Sequence, residues 1–230
     1  MIDWIQTHLP NVYQMGWSGT YGWQVAITQT LYMTFWSFVV GGLLGLLGGL
    51  FLVLTSERGV ISNRLAFNIL DKIVSVFRAL PFIILLALIS PVTRVIVGTT
   101  LGSKAALVPL SLAVFPFFAR QVQVVLAELD GGVIEAAQAS GGTLWDIILV
   151  YLREGLPDLI RVSTVTLISL VGETAMAGAI GAGGLGSVAI TKGYNYSRYD
   201  ITITATILIV ILIFVIQFVG DFLTRKLSHK

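Results

Sequence analysis

Residues 128–158 read ELDGGVIEAAQASGGTLWDIILVYLREGLPD, a polar island lying between very apolar stretches. A chain that needed only to cross lipid would keep such a connection short. This one carries helix-forming residues around Glu135-Ala136-Ala137, then Gly141, then Leu156-Pro157. Asp130 can cap a helix that begins in Gly131-Gly132-Val133, and Gly141-Gly142 allow the tight turn that ends it. Thr143 followed by Asp146 is a variant of the capping box. It opens a second helix running to Leu152, before Pro157. Two short helices with a glycine hinge make a compact knob, suited to a separate motor that pushes on a membrane channel.

The flanks of the island set the class. Hydrophobic residues make up 56% of the chain and charged residues 11%, against about 25% charged in an average soluble domain. No globule of this size hides that much apolar surface. The charges, 14 basic against 12 acidic, are too balanced for a nucleic-acid partner, which would call for a basic patch. Without cysteine there is no disulfide framework, thiolate metal site or palmitoyl anchor. No Lys or Arg precedes Arg58 and the first long apolar run starts near Ile27, so a cleaved leader is not expected.

About 20 apolar residues cross the hydrocarbon core as a helix. Five stretches meet or nearly meet that length, at 27–54, 73–89, 105–126, 159–180 and 201–222. The expected fold is therefore all-α, a polytopic membrane protein with five spans within 27–222. Before them lies an external segment over 1–26, and after them a short tail over 223–230. Basic residues near span ends stay on the cytoplasmic side. One set of loops holds Arg58, Arg64, Lys72, Arg78, Arg120, Arg153, Arg161, Arg225, Lys226 and Lys230. The other holds Arg94, Lys104, Lys192 and Arg198. The larger set defines the inside, which puts the N-terminus out, the C-terminus in and the 128–158 knob within reach of a cytosolic partner.

The spans are composed to pack. Gly41, Gly45 and Gly49 recur every four residues, a face that lets backbones approach where the hydrophobic effect gives no help. Pro81, Pro91, Pro109 and Pro116 kink or end helices, which a bundle tolerates where neighbours satisfy the freed carbonyls. The fourth span, with Gly172, Ala175, Ala179, Gly183 and the charge of Glu173, is the least lipid-like. The fifth is a clean aliphatic run expected to face lipid over much of its surface.

Three patterns suggest enzymes, and each fails on context. Residues 181–186, GAGGLG, fit the dinucleotide-binding pattern but follow a span, not a strand. Gly16-Trp17-Ser18-Gly19 resembles the nucleophile turn of rhomboid-type intramembrane proteases. Its serine would need a buried histidine on another span, and only His8 and His229 exist. Asn195-Tyr196-Ser197 is a short glycosylation-like triplet, frequent by chance. No phosphate-binding loop of the form G-x-x-x-x-G-K-[ST] occurs, so if ATP drives this protein, the nucleotide sits on another polypeptide.

Glu135-Ala136-Ala137, Gly141 and Leu156-Pro157 together resemble the EAA signature, the coupling-helix loop of type I ABC importer permeases. From about Thr28 to Gly220 the chain is also similar to the methionine-type permeases of that family, through residues 77–86, 94–99, 175–186 and 217–221. The resemblance implies that the helix from Glu135 to Gly141 sits in a cleft of a cytosolic ATPase subunit, with Leu156-Pro157 leading back into the fourth span. It implies a homodimer in a bacterial plasma membrane with two ATPase subunits carrying ATP and Mg, an external binding protein or lipoprotein, and methionine or a related amino acid as substrate. On this chain it implies no catalytic residue, no metal and no cofactor. Two positions depart from the expected pattern: Arg153 stands where many relatives would carry a proline, and Glu173 where an uncharged residue is expected.

Glu173 carries the sharpest site expectation. A charge within a span costs about 2.5–3.5 kcal/mol on insertion scales and usually faces a cavity or a partner. It could attract the ammonium of an amino acid in transit, or pair with Arg78, Arg120 or a second protomer. The translocation-path candidates are Glu173, Thr174, Met176 and Ser169 on the fourth span, and Arg78 and Pro81 on the second. Arg78 and Arg120 lie near span ends, where snorkelling alone explains them. A different class, an ion-coupled or facilitative carrier using Glu173 without an ATPase, would not need the 128–158 knob.

Overall fold

The computed structural model describes residues 6–227. His229 and Lys230 lie outside the described residues, as do residues 1–5 and Ser228. In chain order the helices are α1 (Pro10–Met15), α2 (Trp23–Thr55), α3 (Arg64–Ala79), α4 (Phe82–Val97), α5 (Ser103–Ala127), α6 (Gly131–Ala139), α7 (Leu144–Glu154), α8 (Leu156–Ala177), α9 (Gly184–Ser187) and α10 (Tyr199–Leu227). π-helical turns flank α9 at Gly178–Ala182 and Val188–Gly193.

Among the described residues, four helical stretches are long and apolar enough to cross a membrane: Trp23–Thr55, Ser103–Ala127, Leu156–Ala182 and Tyr199–Leu227. The run expected as a span at 73–89 is not one helix. It straddles the end of α3 and the start of α4, which are bent 110° at a break and make a fifth span only as a pair. The physical cause is Pro81. It has no N–H to continue α3 and it forces Leu80 into extended backbone (φ −79°, ψ 123°). Within the third of these stretches, Leu156–Ala182, regular α-geometry stops at Ala177, and a π-helical turn containing the non-helical Ile180 and Gly181 follows.

The chain forms two compact units. The first contains the described residues of 1–39, with 81–112 and 167–216. Its core packs Trp23 and Ala26 of α2 against Leu185, Val188 and Ala189, and against Ile201 and Ala205 of α10. The N-terminal segment is held to it by side-chain chemistry. Asp200 accepts from the Asn11 backbone N–H and side-chain Nδ2, each at 3.0 Å, and the Trp23 indole donates to the Val12 carbonyl at 3.3 Å.

The second unit contains residues 40–80 and 113–166, with the described residues of 217–230. Its core joins Leu52, Val74 and Ala119, flanked by Phe67, Leu70 and Phe115. Here the glycine face of α2 meets α5. A Cβ at Gly45 would stand 2.9 Å from the Phe118 Cβ, and one at Gly49 would stand 2.6 Å from the Val122 Cβ. The absent side chains are what allow the two helices to come that close.

Several hydroxyl residues within the spans satisfy themselves locally, although Thr34 and Ser37 of α2 are buried with no hydrogen-bond partner among the described residues. Thr55, Ser163, Thr164 and Thr166 each donate to the carbonyl four residues earlier, at 2.7–2.9 Å. That removes the desolvation cost of a bare hydroxyl in lipid.

Candidate functional site

The knob is built by local sequence. Asp130 caps α6, its carboxylate accepting from the Gly132 N–H at 2.9 Å. At the other end Gly141 adopts φ +80°. The Gly142 N–H reaches the Ala137 carbonyl and the Gly141 N–H the Gln138 carbonyl, both at 3.0 Å. This is a Schellman closure, and its left-handed residue is the reason for a glycine at 141. A Cβ there would meet nothing within 4 Å. The demand on position 141 is therefore conformational and not one of space.

α7 starts on a complete capping box. The Asp146 carboxylate accepts from the Thr143 backbone N–H at 2.8 Å and from its hydroxyl at 2.6 Å, while the Thr143 oxygen accepts from the Asp146 N–H at 3.4 Å. These bonds hold the Asp146 carboxyl below the usual carboxylate range, the side-chain bond contributing most. Ile147 and Tyr151 bury the inner face of α7, and burial raises the Tyr151 phenol.

The outer face of the hairpin is apolar and uncovered. Trp145 is 65% exposed, and Val133, Leu144 and Leu156 are also exposed. Of the residues expected on this element, Glu135, Ala136 and Gly141 are exposed, while Ala137 and Pro157 are half-buried. Glu135 lines a large cavity beside Arg58, Gly131, Ile134, Gln138 and Tyr151. Trp145 was not among the expected residues. Its signal is available in the sequence, as a tryptophan in the first turn of a short helix inside a polar loop.

The path candidates divide. Ser169 and Met176 lie exposed on α8 and Glu173 is half-buried between them, a spacing that puts all three on one face. Thr174 points away from that face: it is 1% exposed and its hydroxyl donates to the Val171 carbonyl at 2.7 Å. Oε2 of Glu173 is buried with no hydrogen-bond partner among the described residues. Arg78 and Pro81 flank the α3–α4 break, both exposed. Arg120 is one of three alternative partners considered for Glu173. It binds Asp71, at 2.6 Å.

Residues 41–230 match the family model described as binding-protein-dependent transport system inner membrane component. The chain is 43% identical over 203 residues to a probable D-methionine transport system permease protein MetI of Pasteurella multocida, covering 88% of this chain and 94% of that protein. It is 43% identical over 209 residues to the methionine import system permease protein MetP of Bacillus subtilis, covering 90% and 91%. It is also similar to a chain of the solved MetNI methionine ABC transporter in an inward-facing conformation. There the TM-score is 0.83 with 42% identity, over 89% of this chain and 95% of that one.

Proposed function

Because the chain belongs to the family of binding-protein-dependent transport system inner membrane components, we propose that it is the permease subunit of an ATP-binding-cassette importer for methionine or a closely related amino acid. The observation that carries this reading is the α6–α7 hairpin: a capped, glycine-closed element that exposes Glu135, Ala136 and Trp145. Nothing in lipid spanning requires it, and its apolar outer face suits a cleft in a second protein.

In this reading the N-terminus is external and the hairpin cytoplasmic. One hairpin per chain addresses one ATPase subunit, so two copies of the chain, paired about a two-fold axis, serve an ATPase pair. ATP and Mg belong to that pair. An external binding protein or lipoprotein delivers the amino acid, and the aliphatic face of α10, with Ile203, Ile207, Val210 and Phe214 exposed, meets lipid. Closure of the ATPases moves the two hairpins and rocks the spans, which changes the side on which the path opens.

The exposed face of α8 is the part of the path this chain supplies. Ser169 and Met176 frame Glu173, whose carboxylate offers an attraction to a substrate ammonium. Glu135, Ala136, Ala137, Gly141, Leu156 and Pro157 form the coupling element. Arg78 and Pro81 mark the α3–α4 break, a place where a bend between helices can change.

Uptake of radiolabelled methionine by vesicles holding this chain with its ATPase tests the reading. Gly141→Val, a β-branched residue that the left-handed turn excludes, is expected to lower ATP-dependent uptake severely. Survival of uptake in that variant would contradict the proposal and favour a carrier that runs without an ATPase.

A further inference from the structure

Beyond α8 the chain follows a path set by glycine. Gly181, Gly183 and Gly184 adopt φ of +104°, +84° and +76°. The segment is pinned to α2, where Gln29 Oε1 accepts from the Gly184 N–H at 2.8 Å and Thr30 Oγ1 from the Leu185 N–H at 2.9 Å. Pinned this way it leaves a cavity of about 320 Å³, lined by Tyr21, Gln29, Gly181, Gly183, Ser187 and Lys192. Tyr21 and Lys192 also line a second cavity of about 490 Å³ that holds Asn11, Gln14, Tyr196 and Arg198. One cation therefore serves two adjoining spaces.

Lys192 is under-engaged for a partly buried charge. Its Nζ donates to the Tyr21 carbonyl at 3.1 Å and sits 4.7 Å from the centroid of the Tyr21 ring. An ammonium has three donors. Among the described residues no other acceptor and no carboxylate comes within bonding distance of it. Asp200, the acid of this part of the chain, is occupied by the backbone N–H and side chain of Asn11 and by the Val12 N–H. Among the described residues the guanidinium of the second cation, Arg198, is held only against the Tyr196 ring, at 5.8 Å. Burial pushes the Lys192 ammonium down, the direction expected of a cation that lacks its counter-charge.

We propose that Lys192, with Arg198 as a second positive group, anchors a carboxylate-binding subsite at the junction of these two cavities. The carboxylate belongs to a small molecule such as a free amino acid, or to an acidic side chain of a docked protein. The assignment rests on the residues of the two cavities and holds whether or not the chain is an importer.

The full chain in nanodiscs, with its lysines carrying ¹³C-dimethyl labels that keep the positive charge, tests the subsite by NMR. Lys192→Arg assigns the Lys192 resonance and Lys104 serves as the internal control. Sodium acetate is expected to shift the Lys192 resonance saturably, and sodium chloride at equal ionic strength is not. Arg198→Gln is expected to weaken the acetate titration several-fold. A shift with L-methionine but not with L-methioninamide assigns the carboxylate to the small molecule. A shift with the ligand-free binding protein, with L-methionine inert, assigns it to a protein side chain. If acetate does no more than chloride, or moves Lys104 equally, the proposal is overturned. Loss of transport by the wild-type complex with an intact acetate response would instead count against the importer reading alone.

Discussion

Arg120 on α5 donates from Nη2 to Oδ1 of Asp71 on α3 at 2.6 Å, across 49 residues of sequence. The same guanidinium reaches Ser75 Oγ at 3.2 Å and Gln123 Oε1 at 2.6 Å. Neither partner is freely solvated, with side-chain exposures of 21% and 32%. Removing one side of such a pair leaves the other under-satisfied in a poorly hydrated setting. Asp71→Asn is expected to destabilise the protein by roughly 1–3 kcal/mol. Adding Arg120→Gln should cost less than the sum of the two single changes, as read from thermal midpoints in detergent. Strict additivity would show that the pair is not coupled.

Position 141 separates conformation from bulk. With no atom within 4 Å of a Cβ there, substitution is penalised through φ +80° alone. Asn tolerates the left-handed region far better than a β-branched residue does. Uptake by Gly141→Asn should therefore stay well above that of Gly141→Val, with both below wild type. Equal uptake by the two variants would remove the Schellman geometry as the cause.

The capping box makes the hairpin acid-sensitive. Asp146 has a folded-state pKa below its ordinary value of 3.8 because Thr143 hydrogen-bonds its ionised form. A depressed pKa means that this contribution is fully present above the ordinary value and lost as pH falls through the folded one. Asp146→Asn should imitate that loss at neutral pH. Hydrogen exchange in the first turn of α7 is expected to quicken in the variant, and to show no further rise in the variant on acidification. Unchanged exchange at neutral pH would contradict the box.

Close packing of α2 on α5 has its own test. A methyl group at Gly49 would collide with the Val122 Cβ at 2.6 Å and the Ala119 carbonyl at 2.7 Å. Gly49→Ala should cost about 1–3 kcal/mol by overpacking. Gly131→Ala, where a Cβ meets nothing within 4 Å, should be near neutral. Comparable melting of the two variants would argue against a tight interface.

Glu173 distinguishes a path group from a packing group. Its Oε2 has no partner among the described residues, so Glu173→Gln breaks no ion pair there and should not lower the thermal midpoint. If the carboxylate attracts the substrate ammonium, the same variant raises KM for uptake about 10-fold with expression unchanged, a change equivalent to about 1.4 kcal/mol. A lower midpoint with an unaltered KM would make its role structural.

Much of this was readable from sequence where the signal is local. The caps at Asp130 and Thr143 and the turn at Gly141 depend on residues one to five positions apart. The four continuous spans follow from apolar length. Features set by distant contacts were not readable. Hydropathy runs smoothly through 73–89 and so hides the break at Leu80-Pro81, although the proline was visible and sufficient to cause it. Arg120 had looked like a snorkelling end residue because Asp71, on another helix, carries no local mark of partnership. Thr174 neighbours Glu173 in sequence, while the helical turn sends it to a buried side.

The central claim is that a cytosolic ATPase grips the α6–α7 hairpin. The chain has no native cysteine, so Trp145→Cys gives a single thiol on the exposed outer face. In inside-out vesicles of the assembled complex that thiol should cross-link to the ATPase subunit and stay shielded from impermeant maleimide until the ATPase is stripped away. Free labelling with the ATPase in place, or labelling from the external side of sealed cells, would contradict the account.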